Sequence, residues 1–123
     1  MSVSKYKTFI RVRTQFEGWH YYPNAGQIDP RIKFLESLHR HMFHVSVKIS
    51  VNELDRELEF FLVKWALHEY ISKSSLDHKS CEMICDDILT NHLLPTYGHD
   101  REYKVVVSED GESDGIIEYT PEV

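Results

Sequence analysis

The sequence predicts an α+β domain in which an antiparallel four-stranded sheet carries two helices on one face. Apolar and polar residues alternate in four segments, and a period of two indicates half-buried strands. Between the second and third segments the apolar spacing changes twice to three and four residues, which is typical of helices. No internal repeat interrupts the pattern, so we expect residues 1–123 to form a single domain with the order ββααββ.

The first two strands are predicted in the N-terminal half of the chain. Residues 5–15 predict the first strand, because apolar residues such as Ile10 and Val12 alternate with basic residues. Residues 21–33 contain two Pro and one Gly, which predicts a loop. Residues 41–51 alternate most strongly and predict the second strand.

Two helices and two further strands are predicted after the second strand. Residues 56–72 predict the first helix, because apolar residues recur there at helical spacing. They are Leu58, Phe61, Leu62 and Trp65. Residues 79–94 predict a second, amphipathic helix, which the Pro and Gly of the segment LLPTYGHD end. Residues 102–109 and 115–120 predict the last two strands, joined by a polar turn that contains Gly.

The charge and the cysteines limit the partners and the compartment. The formal net charge is −6, whereas a nucleic-acid or membrane-surface binder needs clustered Lys and Arg, so we expect neither partner. A small anion in a local basic pocket is compatible with this charge. Cys81 and Cys85 lie one helical turn apart on the apolar stripe, which predicts reduced core thiols rather than a disulfide or a catalytic thiol. Because no signal peptide or membrane span is recognisable, we expect a cytoplasmic protein.

Three histidines form the candidate metal site. His39 and His41 project to one face of a strand, since residues i and i+2 share a face, provided that the strand begins by residue 39. A catalytic zinc site takes three protein ligands and leaves one position open. His20, which ends the first strand region, is the candidate third ligand because a hairpin-like pairing would place it beside the start of the second strand. The alternative is a set of exposed or hydrogen-bonded histidines, and His44, of opposite parity, is predicted to lie on the surface.

Six blocks of the chain occur in the order known from one protein family. They are FEGWH (16–20), HRHMFHVSV (39–47), EFFLVK (59–64), LDH (76–78), SCE (80–82) and VVVSEDGESDGIIEY (105–119). On these blocks the chain resembles the 6-pyruvoyl-tetrahydropterin synthase and 6-carboxy-tetrahydropterin synthase family. The resemblance implies the T-fold (tunnelling fold), in which the sheets of several subunits join into a barrel, commonly as a hexamer of two stacked trimers.

The resemblance also implies a site and a reaction. It implies zinc (Zn2+) held by His20, His39 and His41, and a pterin- or purine-like substrate between subunits. Glu109 would clasp the ring, because the two oxygens of a carboxylate can accept two parallel N–H bonds. The implied activity is that of a zinc-dependent lyase acting on a dihydropterin such as dihydroneopterin triphosphate.

The chain departs from the family at the general base. Most members carry Cys four residues before the first His of His-x-His, where this chain has Leu35. One subgroup instead uses a Glu three residues before that His, and Glu36 occupies this position. Glu36 is therefore the candidate base, and a solvated charge at the loop–strand junction is the alternative. Arg40 replaces the Gly between the two histidines and either strains the backbone or reaches an anionic group.

The resemblance places a proton relay at Asp77 and His78, in which Asp77 would orient His78. The segment between His78 and the predicted second helix is short, and this departure from the family argues against the relay. The function predicted first is the lyase. The alternative is a catalytically inactive T-fold protein that binds or sequesters a pterin-, purine- or nucleotide-like ligand. A structural or partner-binding domain with incidental histidines is a third interpretation.

Overall fold

The computed structural model describes residues 6–122, and it has the predicted α+β class. Residues 1–5 therefore lie outside the described residues. They include Lys5, where the first strand is predicted to start, and the beginning of the N-terminal segment in which no signal peptide is recognisable. Four strands form one antiparallel sheet in the order β1-β2-β3-β4. They are β1 (Thr8–His20), β2 (His39–Val51), β3 (Tyr103–Glu109) and β4 (Ser113–Tyr119).

The pairing of β1 with β2 is longer than the sequence predicts. It runs without interruption from Thr8 opposite Val51 to His20 opposite His39. The first strand therefore continues five residues past its predicted end at residue 15, and the second begins at His39 rather than at residue 41. The ladder of backbone hydrogen bonds extends both strands beyond the segments in which apolar and polar residues alternate.

The segment between β1 and β2 is helical, and the prediction of a loop at residues 21–33 is wrong in this respect. A short helix, α1 (Ala25–Ile28), is followed by a 3₁₀ helix (Pro30–Glu36). Pro30 lies in the first turn of the 3₁₀ helix, where a missing N–H costs no hydrogen bond. The Asp29 side chain caps the same turn by accepting from Arg31 N at 2.9 Å. These elements interrupt the predicted order ββααββ.

The two predicted helices are present between β2 and β3. Helix α2 (Phe60–Ser72) starts after Glu59, whose carboxylate accepts from two backbone N–H groups of the first turn. Helix α3 (Cys81–Ile88) is capped by Ser80, which accepts from Met83 N at 3.1 Å.

Helical structure continues beyond the end of α3. It continues through a π-helical turn (Leu89–Leu93) into α4 (Leu94–Tyr97). The prediction that Pro ends the helix is wrong, because Pro95 lies in the first turn of α4, where Pro is tolerated. Gly98, with a φ of 103°, ends α4.

The core lies between one face of the sheet and the helices. Helix α2 packs on β1, helix α3 packs on β3 and β4, and their inward residues join one cluster with alternate residues of β2. The sheet contributes Phe43, Val45, Val47, Ile49, Val105 and Val107 to this cluster. Among residues 6–122, no helix is both long enough and apolar enough to cross a membrane.

The buried stripe of α2 differs from the one that predicted the helix. Val63, Leu67 and Ile71 face the sheet. Three of the residues whose spacing predicted the helix are exposed, with Phe61 at 61%, Leu62 at 64% and Trp65 at 62%. Helical periodicity identifies the helix, but it does not decide between two apolar stripes on that helix.

Replacing Gly115 by Ala should lower the free energy of unfolding by about 1–3 kcal/mol. Gly115 lets β4 approach the first turn of α3, where an added Cβ would meet Glu82 N at 2.7 Å and the Cys81 carbonyl carbon at 2.8 Å. Urea denaturation measures the change. The control Glu118→Ala, in an exposed position of the same strand, should change the free energy by less than about 0.5 kcal/mol. Equal stability of the two variants would contradict this close approach.

Candidate metal centre

Three histidines meet at one end of the sheet, as the sequence predicts. One ring nitrogen from each of His20, His39 and His41 lies within 4.8 Å of the others. Register places them there, because His20 pairs directly with His39 and because His41 follows on the same face of β2. His44 has the opposite parity and is exposed, as expected. Imidazole nitrogens in a set of three are a donor set that binds zinc and other transition metals.

Each imidazole is held by a hydrogen bond through its Nδ1 atom. Nδ1 of His20 lies 2.9 Å from the Lys79 carbonyl oxygen, and Nδ1 of His39 lies 2.8 Å from the Ser37 carbonyl oxygen. A carbonyl oxygen can only accept, so Nδ1 carries the proton in both rings. The lone pair of each ring is then on Nε2. Metal-binding histidines characteristically donate their other ring N–H in this way, which fixes the tautomer and the ring orientation.

His41 is oriented by a carboxylate instead. Its Nδ1 lies 2.6 Å from Asp110 Oδ2, and the other oxygen of Asp110 accepts from Met42 N at 2.9 Å. The hydrogen bond from Met42 N, followed by that from His41, lowers the pKa of Asp110, so the carboxylate stays ionised. A charged acceptor makes the His41 ring a more basic ligand.

The turn between β3 and β4 positions Asp110. Asp110 and Gly111 both have positive φ, 55° and 73°, and Glu112 N donates to the Glu109 carbonyl oxygen at 3.0 Å. An Asp-Gly pair suits a tight hairpin turn with two left-handed residues. The sequence prediction found this turn but missed the role of Asp110. The Asp-Gly pair directly after Glu109 could have indicated this role, because Glu109 ends the strand that pairs with the strand of His41.

The Nε2 atoms of His20 and His41 are buried, and neither has a hydrogen-bond partner within residues 6–122. Buried polar atoms without partners cost free energy, so each such atom calls for a physical cause. Glu109 Oε1 lies 3.3 Å from His20 Nε2, and Oε2 lies 3.8 Å from His41 Nε2, both without hydrogen-bond geometry. The carboxylate of Glu109 thus lies beside these two nitrogen lone pairs, and a negative charge at that place stabilises a cation bound by the histidines. The residues present therefore fit a metal ion.

A cavity of about 460 Å³ opens beside the histidines. This volume lies within the range of small-molecule sites, roughly 300–1,000 Å³. His20, His39 and Glu109 form one side of it. The other walls include Tyr21, Tyr22, Leu35, His78 and Met83.

Two predicted catalytic residues do not join the others at the cavity. The carboxylate of Glu36 accepts from Gly26 N at 2.8 Å, and Leu35 rather than Glu36 lines the cavity. The carboxylate of Asp77 accepts from the Ser75 hydroxyl at 3.0 Å, and no hydrogen bond joins Asp77 to His78 in the described part of the chain. Of the predicted relay, the structure places His78 alone at the cavity wall.

The structure supports one of the two interpretations of Arg40. It reaches an anionic group, because its guanidinium lies 3.2 Å from Glu17. Its φ is not positive, so the absence of Gly at this position does not force a left-handed backbone. Arg40 points to the other face of the sheet and leaves the histidines unobstructed.

Both cysteines are buried and free, as the sequence predicts. Burial, together with the charges of Glu109 and Glu82, raises the pKa of the Cys81 thiol to about 12. Burial raises the pKa of Cys85 to about 11, and two backbone carbonyl oxygens lie within reach of its single S–H donor. Cys81 touches the cavity but lacks the thiolate that nucleophilic catalysis needs.

A scan against protein-family models finds no match to the chain, and a search of curated proteins finds none either.

Replacing Asp110 by Asn should lower the affinity for zinc about 10- to 100-fold. Asn tolerates the positive φ of this position, so the change mainly removes the charged acceptor of the His41 N–H. Competition with a chromophoric chelator measures the affinity. The matched control is Glu112→Gln in the same turn, which should bind zinc as the unaltered protein does. Equal affinities for both variants would show that Asp110 does not organise the site.

The two thiols should react with a thiol reagent such as DTNB at about pH 8 only after unfolding, because the reactive species is the thiolate. Burial suppresses that species at Cys81 and Cys85 in the folded state. The colour released with and without denaturant measures the reactivity. Rapid labelling of the folded protein would contradict the placement of either thiol in the core.

Proposed function

We propose that the protein is a zinc-dependent lyase acting on a dihydropterin, of the 6-pyruvoyl-tetrahydropterin synthase type. The observation that carries the proposal is the cluster of three imidazoles, each held through Nδ1, beside a cavity that is lined by two of them together with Glu109 and His78. A set of three nitrogen ligands favours zinc, which leaves one position for water or substrate. Bound zinc would act as a Lewis acid on the side-chain hydroxyls of the substrate.

The walls of the cavity support a flat heterocyclic substrate. Tyr21 and Tyr22 are partly exposed, at 36% and 44%, and offer aromatic faces against which a ring can stack. The carboxylate of Glu109 is partly accessible and can accept from adjacent N–H groups of an amino-pyrimidinone edge. Pterins and purines share such an edge, so this feature alone does not select between them.

His78 is the residue in this proposal that moves a proton. It lies on the cavity wall and is exposed, and imidazole is the side chain that most often serves as a general acid or base. Glu36 carried this role in the sequence prediction, but its carboxylate is held by the Gly26 N–H away from the cavity wall. We therefore assign Glu36 to holding the helical segment after β1.

We further propose that the chain works as a homo-oligomer in the cytoplasm, with the T-fold hexamer of two stacked trimers as the expected assembly. Two observations support an assembly. The outer edges of β1 and β4 carry backbone groups that no other strand pairs in the described chain, and such edges tend to pair or to be covered. Exposed apolar side chains of α2, such as Phe61 and Trp65, add surface that an oligomer would cover.

One observation favours a second function, which is binding without catalysis. Glu36 occupies the position at which one subgroup of the family carries its base. Its carboxylate already accepts a hydrogen bond from Gly26 N. If no other group supplies the base, the chain binds or sequesters a pterin-, purine- or nucleotide-like ligand at the same cavity.

Replacing His78 by Gln should lower kcat for dihydroneopterin triphosphate by about 100-fold or more, because general acid–base catalysis contributes a factor of about 10² to 10⁴. Bound zinc should remain at about one ion per chain, since His78 is not a ligand in the set of three histidines. Glu36→Gln should keep most of the activity, because an amide oxygen can still accept from Gly26 N. Chromatographic assay of substrate consumption by the zinc-loaded protein measures both variants.

The matched control is His99→Gln, an exposed histidine that is not part of the cavity wall. It should leave kcat unchanged. If the zinc-loaded protein turns over no dihydropterin but takes up a pterin tightly, the binding function holds and the lyase proposal fails. Loss of turnover in Glu36→Gln alone would restore Glu36 as the base.

A further inference from the structure

A second cavity, of about 570 Å³, is lined by residues of β1, β2 and β3 and by Lys64 of α2. Its floor is built from two adjacent rows of cross-strand neighbours. One row is Arg13, Ser46 and Val106, and the other is Gln15, His44 and Ser108. These residues have the parity opposite to that of the core residues of β2, so the sheet itself separates this cavity from the histidine centre.

The two charged side chains of this cavity, Arg13 and Lys64, are both cationic. Arg13 comes from β1, and Lys64 reaches the cavity from α2, which packs on that strand. Within residues 6–122, neither has a carboxylate oxygen within 4.0 Å. No Asp or Glu contributes to the wall, whereas the chain as a whole has a net charge of −6. Asp114, which pairs with Ser108 across β3 and β4, lies on the same face of the sheet but does not line this cavity.

Ser108 forms part of the cavity floor, but its hydroxyl lies beneath the surface. The residue is only 6% exposed, and the hydroxyl oxygen is buried and has no hydrogen-bond partner within the described residues. The neutral donors that a ligand can reach therefore come from other polar residues of the wall, Gln15 and Ser46.

We propose that this cavity binds the phosphate group of a small anionic ligand. The Arg13 guanidinium offers a planar fork that matches two phosphate oxygens, and Lys64 adds a second positive charge. Ser46 and Gln15 supply neutral donors around them. The volume accommodates more than one phosphate group, so the ligand is a phosphate ester or polyphosphate of small size. This site is separate from the proposed lyase site and does not depend on it.

The test compares two arginines of the same strand. Arg11 and Arg13 lie on the same face of β1, both are exposed, and only Arg13 lines the cavity. The zinc-loaded full chain is titrated by calorimetry with inorganic phosphate and, separately, with tripolyphosphate. Arg13→Gln should weaken binding at least about tenfold, and Arg11→Gln should leave it within about twofold. Tighter binding of tripolyphosphate than of phosphate would identify an extended anion, and equal binding would identify a single phosphate group.

Two further variants keep the outcome decisive. Ser46→Ala should weaken phosphate binding several-fold, because it removes a neutral donor from the cavity wall. His39→Ala removes a metal ligand, and phosphate affinity should then stay within about twofold of that of the unaltered protein. Equal weakening by the two Arg variants would show general charge attraction and overturn the proposal. Loss of phosphate binding together with zinc, or no binding up to about 10 mM phosphate, would overturn it as well.

Discussion

The register between β1 and β2 is the constraint on which the rest of the site depends. It places His20 opposite His39 and leaves His41 two residues further along the same face. The pairing of β2 with β3 then brings Glu109 opposite Phe43, at the edge of the histidine cluster. Because successive side chains of a strand alternate in direction, a slip of one residue would turn His39 and His41 to the solvent face. Thirteen paired positions with one buried face prevent such a slip.

Groups outside the cluster determine what the three imidazoles can do. Two backbone carbonyl oxygens and one carboxylate accept the Nδ1 protons, so the rings present Nε2 lone pairs to one another. In water these lone pairs would be hydrated, and here two of them are buried without a partner among residues 6–122. Their desolvation lowers the stability of the metal-free fold. The same arrangement means that a bound metal ion stabilises the folded chain, because the unfolded chain offers no such preformed set of donors.

The sequence predicts the parts of the fold and site that follow from local periodicity. Alternation in β2 was sufficient to assign His39 and His41 to one face and His44 to the other, and the end of β1 was sufficient to propose His20. The two buried cysteines followed from helical spacing in the same way. Asp110 was not predictable by this route, because its role depends on a left-handed turn and on the position of a strand far away in sequence.

Three further differences have a common physical origin in packing and capping. The helical turns between β1 and β2 form in a segment rich in Pro and Gly, because Asp29 caps them and Pro30 suits a first turn. The outward position of Phe61 and Trp65 reflects which of two stripes on α2 meets the sheet. Glu36 was assigned through the family resemblance, and its carboxylate accepts from Gly26 N, a contact that the resemblance does not reveal. In each case a contact between elements decides the outcome, and periodicity in one segment does not contain it.

The two faces of a single sheet can support two sites that prefer ligands of opposite charge. The face with the histidines also carries the carboxylates of Glu109 and Asp110, so it suits a cation. The other face carries Arg13 and Ser108 in neighbouring rows of the same strands, so it suits an anion. One register fixes both sets, since every second residue of each strand belongs to the opposite face. The face of Arg13 also carries Glu17 and Glu118, and these carboxylates pair with Arg40 and Lys104. Among the described residues no carboxylate oxygen lies within 4.0 Å of Arg13, which therefore stays available to a ligand.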